Sequence, residues 1–335
     1  MNNPKVLFVW EDATMSGVRL DAPELGNVGV GGTDFLFGSV PHELAKRGGA
    51  QVGLVHFEAS NVLSPLVRDW VVPVGAEGAL RIAQIARDFD FIVARPSAFL
   101  RALTPVLNGS VRVIAWAHNH LRAPMLSWLG QDPRVAAVVN VGREQLLLTR
   151  LSACFGKSTW IDNPVYPPAF MPADAPPVAR ACRAVFMGAL APAKGFQMLA
   201  RHWPDIKSRV PDAQLDVIGS VDLYGDAGEA GRRYMAKVQQ LLGGRPEDLG
   251  VRFHGKLGQE KDAVMRQALV GLPNPTGFTE TSCLSALEMS AQGLAVVVPR
   301  RWGFCDTVSP THSGVYASDG KAYVRAVSAL LKDPA

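Results

Sequence analysis

Two glutamates stand with seven residues between them in Gly277-Phe278-Thr279-Glu280-Thr281-Ser282-Cys283-Leu284-Ser285-Ala286-Leu287-Glu288. The pattern predicts a helix over 282–292, with Glu280 just before it and Glu288 about two turns in. The start of a helix presents unpaired backbone N–H groups and a partial positive charge, a natural seat for a phosphate. Glu288 would stand about 12 Å from Glu280 along the axis, from the helical rise. A carboxylate can accept two hydroxyls at once. The pair therefore suits a ligand with sugar hydroxyls on both sides of a phosphate bridge, although by spacing alone it reads more readily as two solvated surface glutamates.

Three further features could meet such a ligand. Lys194, in Phe186-Met187-Gly188-Ala189-Leu190-Ala191-Pro192-Ala193-Lys194-Gly195, lies on the loop after an apolar run. A lysine there can neutralise charge on a departing diphosphate, or be an ordinary exposed loop residue. Gly29-Val30-Gly31-Gly32-Thr33 opens a helical pattern. Glycine lets backbone approach a ligand closely, but about twenty residues separate this loop from its strand, so it is not a dinucleotide fingerprint. Ile114-Ala115-Trp116-Ala117-His118-Asn119-His120 ends a buried strand with two histidines. No carboxylate stands near them at metal-ligand spacing.

The elements that would position these residues follow a repeating rhythm. Apolar runs at Val6–Trp10, Gln51–Phe57, Phe91–Ala94, Val111–Ala117 and Val135–Val141 alternate with amphipathic stretches such as Thr33–Arg47 and Glu77–Asp88. Runs apolar throughout suit strands buried on both faces of a parallel sheet. A proline-dense stretch, about 166–182, reads as a linker between domains 1–165 and 183–335. The rhythm then restarts with strands at Ala184–Leu190, Gln214–Gly219, Val251–Gly255, Leu269–Pro273 and Leu294–Pro299. Helices are expected at Phe196–Arg209, Glu229–Leu242, Gln259–Gln267, Ser282–Gln292 and Lys321–Leu331. The chain's 335 residues suit two domains at roughly 150 each.

Composition narrows the function classes. Lys and Arg number 34 against 30 Asp and Glu, a net +4 that is too thin for a nucleic-acid binder. Residues 1–80 hold 5 basic and 9 acidic side chains, and 81–157 hold 10 basic and 4 acidic. That second stretch is a solvated surface or a weak attraction for anionic phospholipid headgroups or an anionic acceptor. The first apolar run, Val6–Trp10, is shorter than a secretory signal, and no window reaches the length of a membrane span. Cys154, Cys182, Cys283 and Cys305 lie far apart and are expected as reduced thiols packed like small hydrophobes. A soluble, cytoplasmic chain is expected.

The stretch from Leu272 to Val298 resembles the E-x7-E signature of retaining GT-B glycosyltransferases, in particular glycosyltransferase family 4. Phe186–Gly195 is similar to that family's G-R-L-x-x-x-K-G, Pro211–Ser220 to its next strand, and Asn163-Pro164-Val165 to its turn into the linker. The resemblance covers roughly 5–332 and is most specific from 184 to 300. It implies two facing Rossmann-like doubly wound domains with an interdomain cleft, an acceptor-side N-terminal domain and a donor-side C-terminal one. The implied activity is retaining transfer from a nucleotide-diphosphate sugar, UDP- or GDP-linked, to a glycan, lipid-linked or small-molecule acceptor in cell-surface polysaccharide or glycoconjugate synthesis. Lys194 and the amides near Ser282, Cys283 and Leu284 would stabilise the departing diphosphate, Glu288 would hold the ribose and Glu280 the transferred sugar. His118 would stand near the donor sugar, and Gly31, Gly32 and Thr33, with Gly188, Gly219 and Leu257, would line the donor site. No cofactor and no obligatory metal are implied: Asp88-Phe89-Asp90 precedes a strand at its wrong end.

Two departures stand out. The family's arginine beside Gly188 is replaced by Ala189, which leaves half of the usual cationic clamp missing and keeps a non-catalytic nucleotide-sugar binding protein as a rival reading. Relatives also run on beyond the segment matching Leu330–Pro334 into a helix that crosses back to the N-terminal domain, whereas this chain stops at Ala335. A bilobal solute-binding protein, likewise built of two α/β lobes, is a rival from another class.

Overall fold

The structure is a computed structural model, and it describes residues 3–166, 180–223, 225–310 and 312–332. Contacts divide the chain into two compact units, one of residues up to Glu24 with Val30–Asn163, the other of Leu25–Gly29 with Pro164 onward. Most of the stretch expected as linker, 167–179, lies outside the described residues.

In the first unit the strands are β1 (Lys5–Val9), β2 (Arg19–Leu20), β3 (Gln51–His56), β4 (Val62–Leu63), β5 (Arg68–Val71), β6 (Phe91–Ala94), β7 (Arg112–Ala117), β8 (Val135–Asn140) and β9 (Ser158–Trp160). The helices are α1 (Gly32–Arg47), α2 (Ala76–Ile85), α3 (Ala98–Leu103), α4 (Ala123–Gln131) and α5 (Arg143–Leu148). Seven strands form one all-parallel sheet in the order β5-β3-β1-β6-β7-β8-β9, and β2 pairs with β4 apart from it. Central β1 is apolar from Val6 onward, as suits a strand covered on both faces, and Leu7, Phe8 and Val9 are all buried. The stretch Glu77–Asp88, expected as one helix, is helical to Ile85 and tightens into a 3-10 turn at Ala86–Asp88. β5 is an edge strand beside β3 and begins with Arg68 and Asp69, outside the apolar runs.

The second unit continues with β10 (Arg183–Met187), β11 (Gln214–Ile218), β12 (Val251–Gly255), β13 (Val270–Gly271), β14 (Ala295–Val298) and β15 (Gly314–Tyr316). Its helices are α6 (Phe196–Arg209), α7 (Gly228–Leu242), α8 (Lys261–Arg266), α9 (Leu284–Ala291), α10 (Phe304–Thr307) and α11 (Gly320–Lys332). The sheet runs β12-β11-β10-β13-β14-β15, again all parallel. Counting strands within the unit, this is the doubly wound order three-two-one-four-five-six, whose loops after the strands carry ligand sites. On one sheet face the core gathers Phe186, Phe196, Trp203 and Tyr323; on the other, Val185, Met265, Met289 and Phe304.

Helix α9 begins at Leu284, two residues later than its sequence pattern suggests. Glu280 is thus held by a loop, not by the first helical turn. Among the described residues no helix is long and apolar enough to cross a membrane. The cysteines depart in part from the expectation: Cys154 and Cys283 are buried, Cys182 is half-buried, and Cys305 is exposed.

Candidate functional site

In the second unit Gly188 and Gly219 lie side by side where β10 and β11 end. The Gly188 N–H donates to Ile218 O at 3.0 Å, and Gly219 N–H donates to Gly255 O at 2.8 Å. Gly219 has a φ of 135°, and a Cβ there would strike the Gly188 carbonyl. Only glycine permits that approach. Ala189, next to Gly188, is 1% exposed, a buried alanine where the resemblance expects an arginine.

The loop after β10 winds through a 3-10 turn, Pro192–Lys194, closed by Gly195 in a left-handed conformation. This turn carries Lys194 to Glu280, with Nζ 2.6 Å from Oε1. Glu280 is 6% exposed, and its second partner is Asn274, whose Nδ2 donates to the same oxygen at 2.8 Å. Asn274 is itself buried and takes a φ of 28°. Its Nδ2 also reaches the carbonyls of Phe278 at 3.0 Å and Ala193 at 3.3 Å, and its Oδ1 accepts from Thr276 Oγ1 at 2.8 Å. One amide thus ties the Lys194 turn to the Glu280 loop. The sequence hides this role, because Asn between Pro273 and Pro275 reads as a turn residue.

Thr279, at φ 64°, bends the chain between Asn274 and the helix. Gly303 N–H donates to Glu280 O at 3.0 Å and supports the loop from behind. Cys283 caps α9, preceded by Ser282 and followed by Leu284, the first helical residue. Burial, then the charge of Glu280, pushes the Cys283 thiol up to about 12, so it packs and does not attack.

Glu288 lies within α9 and has a different cation as its partner. Its Oε2 is 3.1 Å from Nζ of Lys261, whose side chain is 9% exposed. Lys261 opens α8 on the same face as the fully buried Met265, one helical turn on. Lys261 is not among the residues the sequence singles out; its one signal is its place at an apolar-face position four residues before Met265. Lys261 Nζ also approaches the carbonyl of Asn27 at 3.4 Å. Leu257, on the loop before α8, presents its carbonyl to Gly29, where an added Cβ would stand 2.9 Å away.

The first unit holds the remaining expected residues. Gly31 caps α1 and accepts from Phe35 N–H at 2.9 Å, with Gly32 and Thr33 in the first turn. His118 follows β7, its ring 4.3 Å from that of Trp116 between centroids. Burial, with Arg95 nearby, pushes His118 down to about 3, so its ring is neutral across the physiological range.

Each unit carries an all-parallel doubly wound sheet, and solved structures of the GT-B fold share this pair of units. A glycosyltransferase from Rickettsia africae shares it at a TM-score of 0.69 and 13% identity over 99% of this chain and 89% of that one. Anabaena HepE, solved with UDP and glucose, shares it at 0.70 and 12% identity over 98% and 90%. Residues 181–333 match the family model described as glycosyl transferases group 1. Over 285 residues the chain is 29% identical to the GDP-mannose-dependent alpha-(1-6)-phosphatidylinositol monomannoside mannosyltransferase of Mycolicibacterium smegmatis, covering 74% of this chain and 68% of that protein. Together these similarities support a GT-B glycosyltransferase.

Proposed function

We propose that the protein transfers a sugar, with retention at its anomeric carbon, from a nucleotide-diphosphate sugar to a hydroxyl acceptor. The observation that carries this reading is the Lys194–Glu280–Asn274 cluster before α9, in which the carboxylate and the amide are buried, with Glu288 within that helix. A donor diphosphate takes Lys194 and the amide N–H groups entering α9, where developing charge on the leaving group meets a cation and backbone dipoles. Glu288 accepts the ribose hydroxyls and Glu280 those of the transferred sugar, each carboxylate having two acceptor oxygens. The bond from the anomeric carbon to the diphosphate oxygen breaks as the bond to the acceptor oxygen forms on the same face. The acceptor's proton passes to the departing phosphate, so the step needs no side-chain base.

Lys194 and the amides supply the charge compensation, and the reaction runs without a divalent metal. The relative that uses GDP-mannose and the neighbour solved with UDP and glucose set the donors to try first. The test is nucleotide release from GDP-mannose and UDP-glucose, with and without EDTA, in wild type and Glu288→Ala. Turnover abolished by Glu288→Ala with the fold intact supports the reading. Tight nucleotide-sugar binding with neither transfer nor hydrolysis identifies a non-catalytic binding protein instead.

A further inference from the structure

Glu288 is where the proposed donor ribose would sit, yet its carboxylate already has a partner. We propose that Lys261 is the positioning residue of this carboxylate: its ammonium fixes the orientation in which Glu288 takes the ribose hydroxyls. The inference rests on the reading of Glu288 given above and adds a residue to it.

Lys261 Nζ is 3.1 Å from Glu288 Oε2, and the two side chains are 9% and 14% exposed. A carboxylate this deep costs several kcal/mol unless a countercharge meets it. The pairing does not use up the acid. Each carboxylate oxygen has two lone pairs, so Oε2 can hold Lys261 and one hydroxyl while Oε1 takes a second.

The lysine is in turn held at both ends. Its backbone begins α8 beside buried Met265, and its ammonium approaches the Asn27 carbonyl at 3.4 Å. Asn27 is set by its own turn, in which Gly29 N–H donates to Asn27 Oδ1 at 2.9 Å. Gly29, at φ 89°, lies against the Leu257 carbonyl. The segment Leu25–Gly29 packs with the second unit, and its backbone anchors the ammonium that orients Glu288.

The experiment compares binding of UDP and GDP with their 2′,3′-dideoxy forms by titration calorimetry. Wild type should prefer the ribonucleotide by about tenfold or more, the scale of hydrogen bonds to a charged group. Lys261→Met should bring the preference to within about threefold, weakening the ribonucleotide while leaving the dideoxy form nearly unchanged. Donor KM should rise with kcat retained, and Lys261→Arg should restore part of the preference. A wild-type preference kept in Lys261→Met overturns the proposal.

Removing the lysine alone strands a buried charge and can unfold the protein, so the double variant Lys261→Met/Glu288→Gln is measured beside Glu288→Gln. If Lys261 acts through Glu288, the two should bind each nucleotide alike within about twofold, as expected of residues acting as one unit. A further loss in the double variant overturns the proposal. If Glu288→Gln itself keeps the ribose preference, the reading of Glu288 fails, and the role of Lys261 fails with it.

Discussion

Lys194 and Glu280 are 86 residues apart in sequence and are joined by a 2.6 Å ion pair. The carboxylate is the more buried member, with side-chain exposures of 26% for the lysine and 7% for the acid. A donor would divide this pair, drawing the ammonium to the diphosphate and freeing one carboxylate position for a sugar hydroxyl. The Asn274 amide, 2.8 Å from the same carboxylate oxygen, would still hold the acid once the lysine had moved.

The asymmetry of burial predicts an asymmetry in stability. Lys194→Ala should destabilise by about 1–3 kcal/mol, below the full cost of breaking a buried pair because the lysine is partly solvated. Glu280→Gln should cost about 1 kcal/mol, since the amide still occupies the site and strands no buried anion. Urea titrations of both, and of the double variant, check this. A double variant no more stable than Lys194→Ala would mean that Glu280 is not the group left uncompensated.

Gly219 and Gly243 test the backbone arrangement separately. Both are glycines with positive φ, at 135° and 70°, but only Gly219 faces another backbone. Gly219→Ala should cost about 3 kcal/mol or more, as strain and overlap with the Gly188 carbonyl combine. Gly243→Ala has nothing within 4 Å of its added Cβ and should cost about 1 kcal/mol. Equal shifts in urea midpoint would show that the Gly188–Gly219 approach is not tight.

The doubly wound architecture was legible because parallel strands buried on both faces read as apolar runs, as in Val6–Val9 and Ala184–Phe186. Strand β5 was not, since Arg68 and Asp69 at a sheet edge carry no alternation or apolar run. Glu280, Glu288 and Lys194 were legible through their motif. Asn274 and Lys261 were not: their contacts, among them those with Ala193 and Asn27, are brought about only by the fold. The sequence shows an alanine at 189 in place of a cation, and in the fold this alanine is buried.

Thiol reactivity should follow burial and not sequence context. Cys305 is exposed and should react first with a chromogenic disulfide, and Cys305→Ser should remove that phase. Cys182, half-buried with its thiol pushed up by burial, should follow slowly. Cys154 and Cys283 should react only after denaturation, and donor binding should be unchanged after the first thiol is modified. Rapid loss of nucleotide binding that survives Cys305→Ser would place a reactive thiol at the α9 cap and contradict the burial of Cys283.

Two buried histidines of the first unit should give stability opposite pH dependences. His118 is pushed down to about 3 by burial and Arg95. Below the unfolded value near 6.5 the unfolded chain takes up a proton that the folded ring refuses, so stability is lost as pH falls from 6.5 toward 3. The slope assigned to this group is about 1.4 kcal/mol per pH unit. His56 behaves in reverse. Burial alone would lower it, but the carboxylates of Asp12 and Asp69, 3.4 and 3.2 Å from its two ring nitrogens, outweigh burial and raise it. Its contribution is complete below about 6.5 and is lost as pH rises through the raised folded value. Urea unfolding between pH 4 and 9 should therefore show His118→Asn flattening the acid side and His56→Gln flattening the alkaline side. Because His118 stays neutral when folded, His118→Asn should leave the shape of the activity–pH profile unchanged between about pH 5.5 and 8, even where it lowers the rate. An acid limb near pH 6.5 that vanishes in His118→Asn would show that this ring titrates in the folded protein.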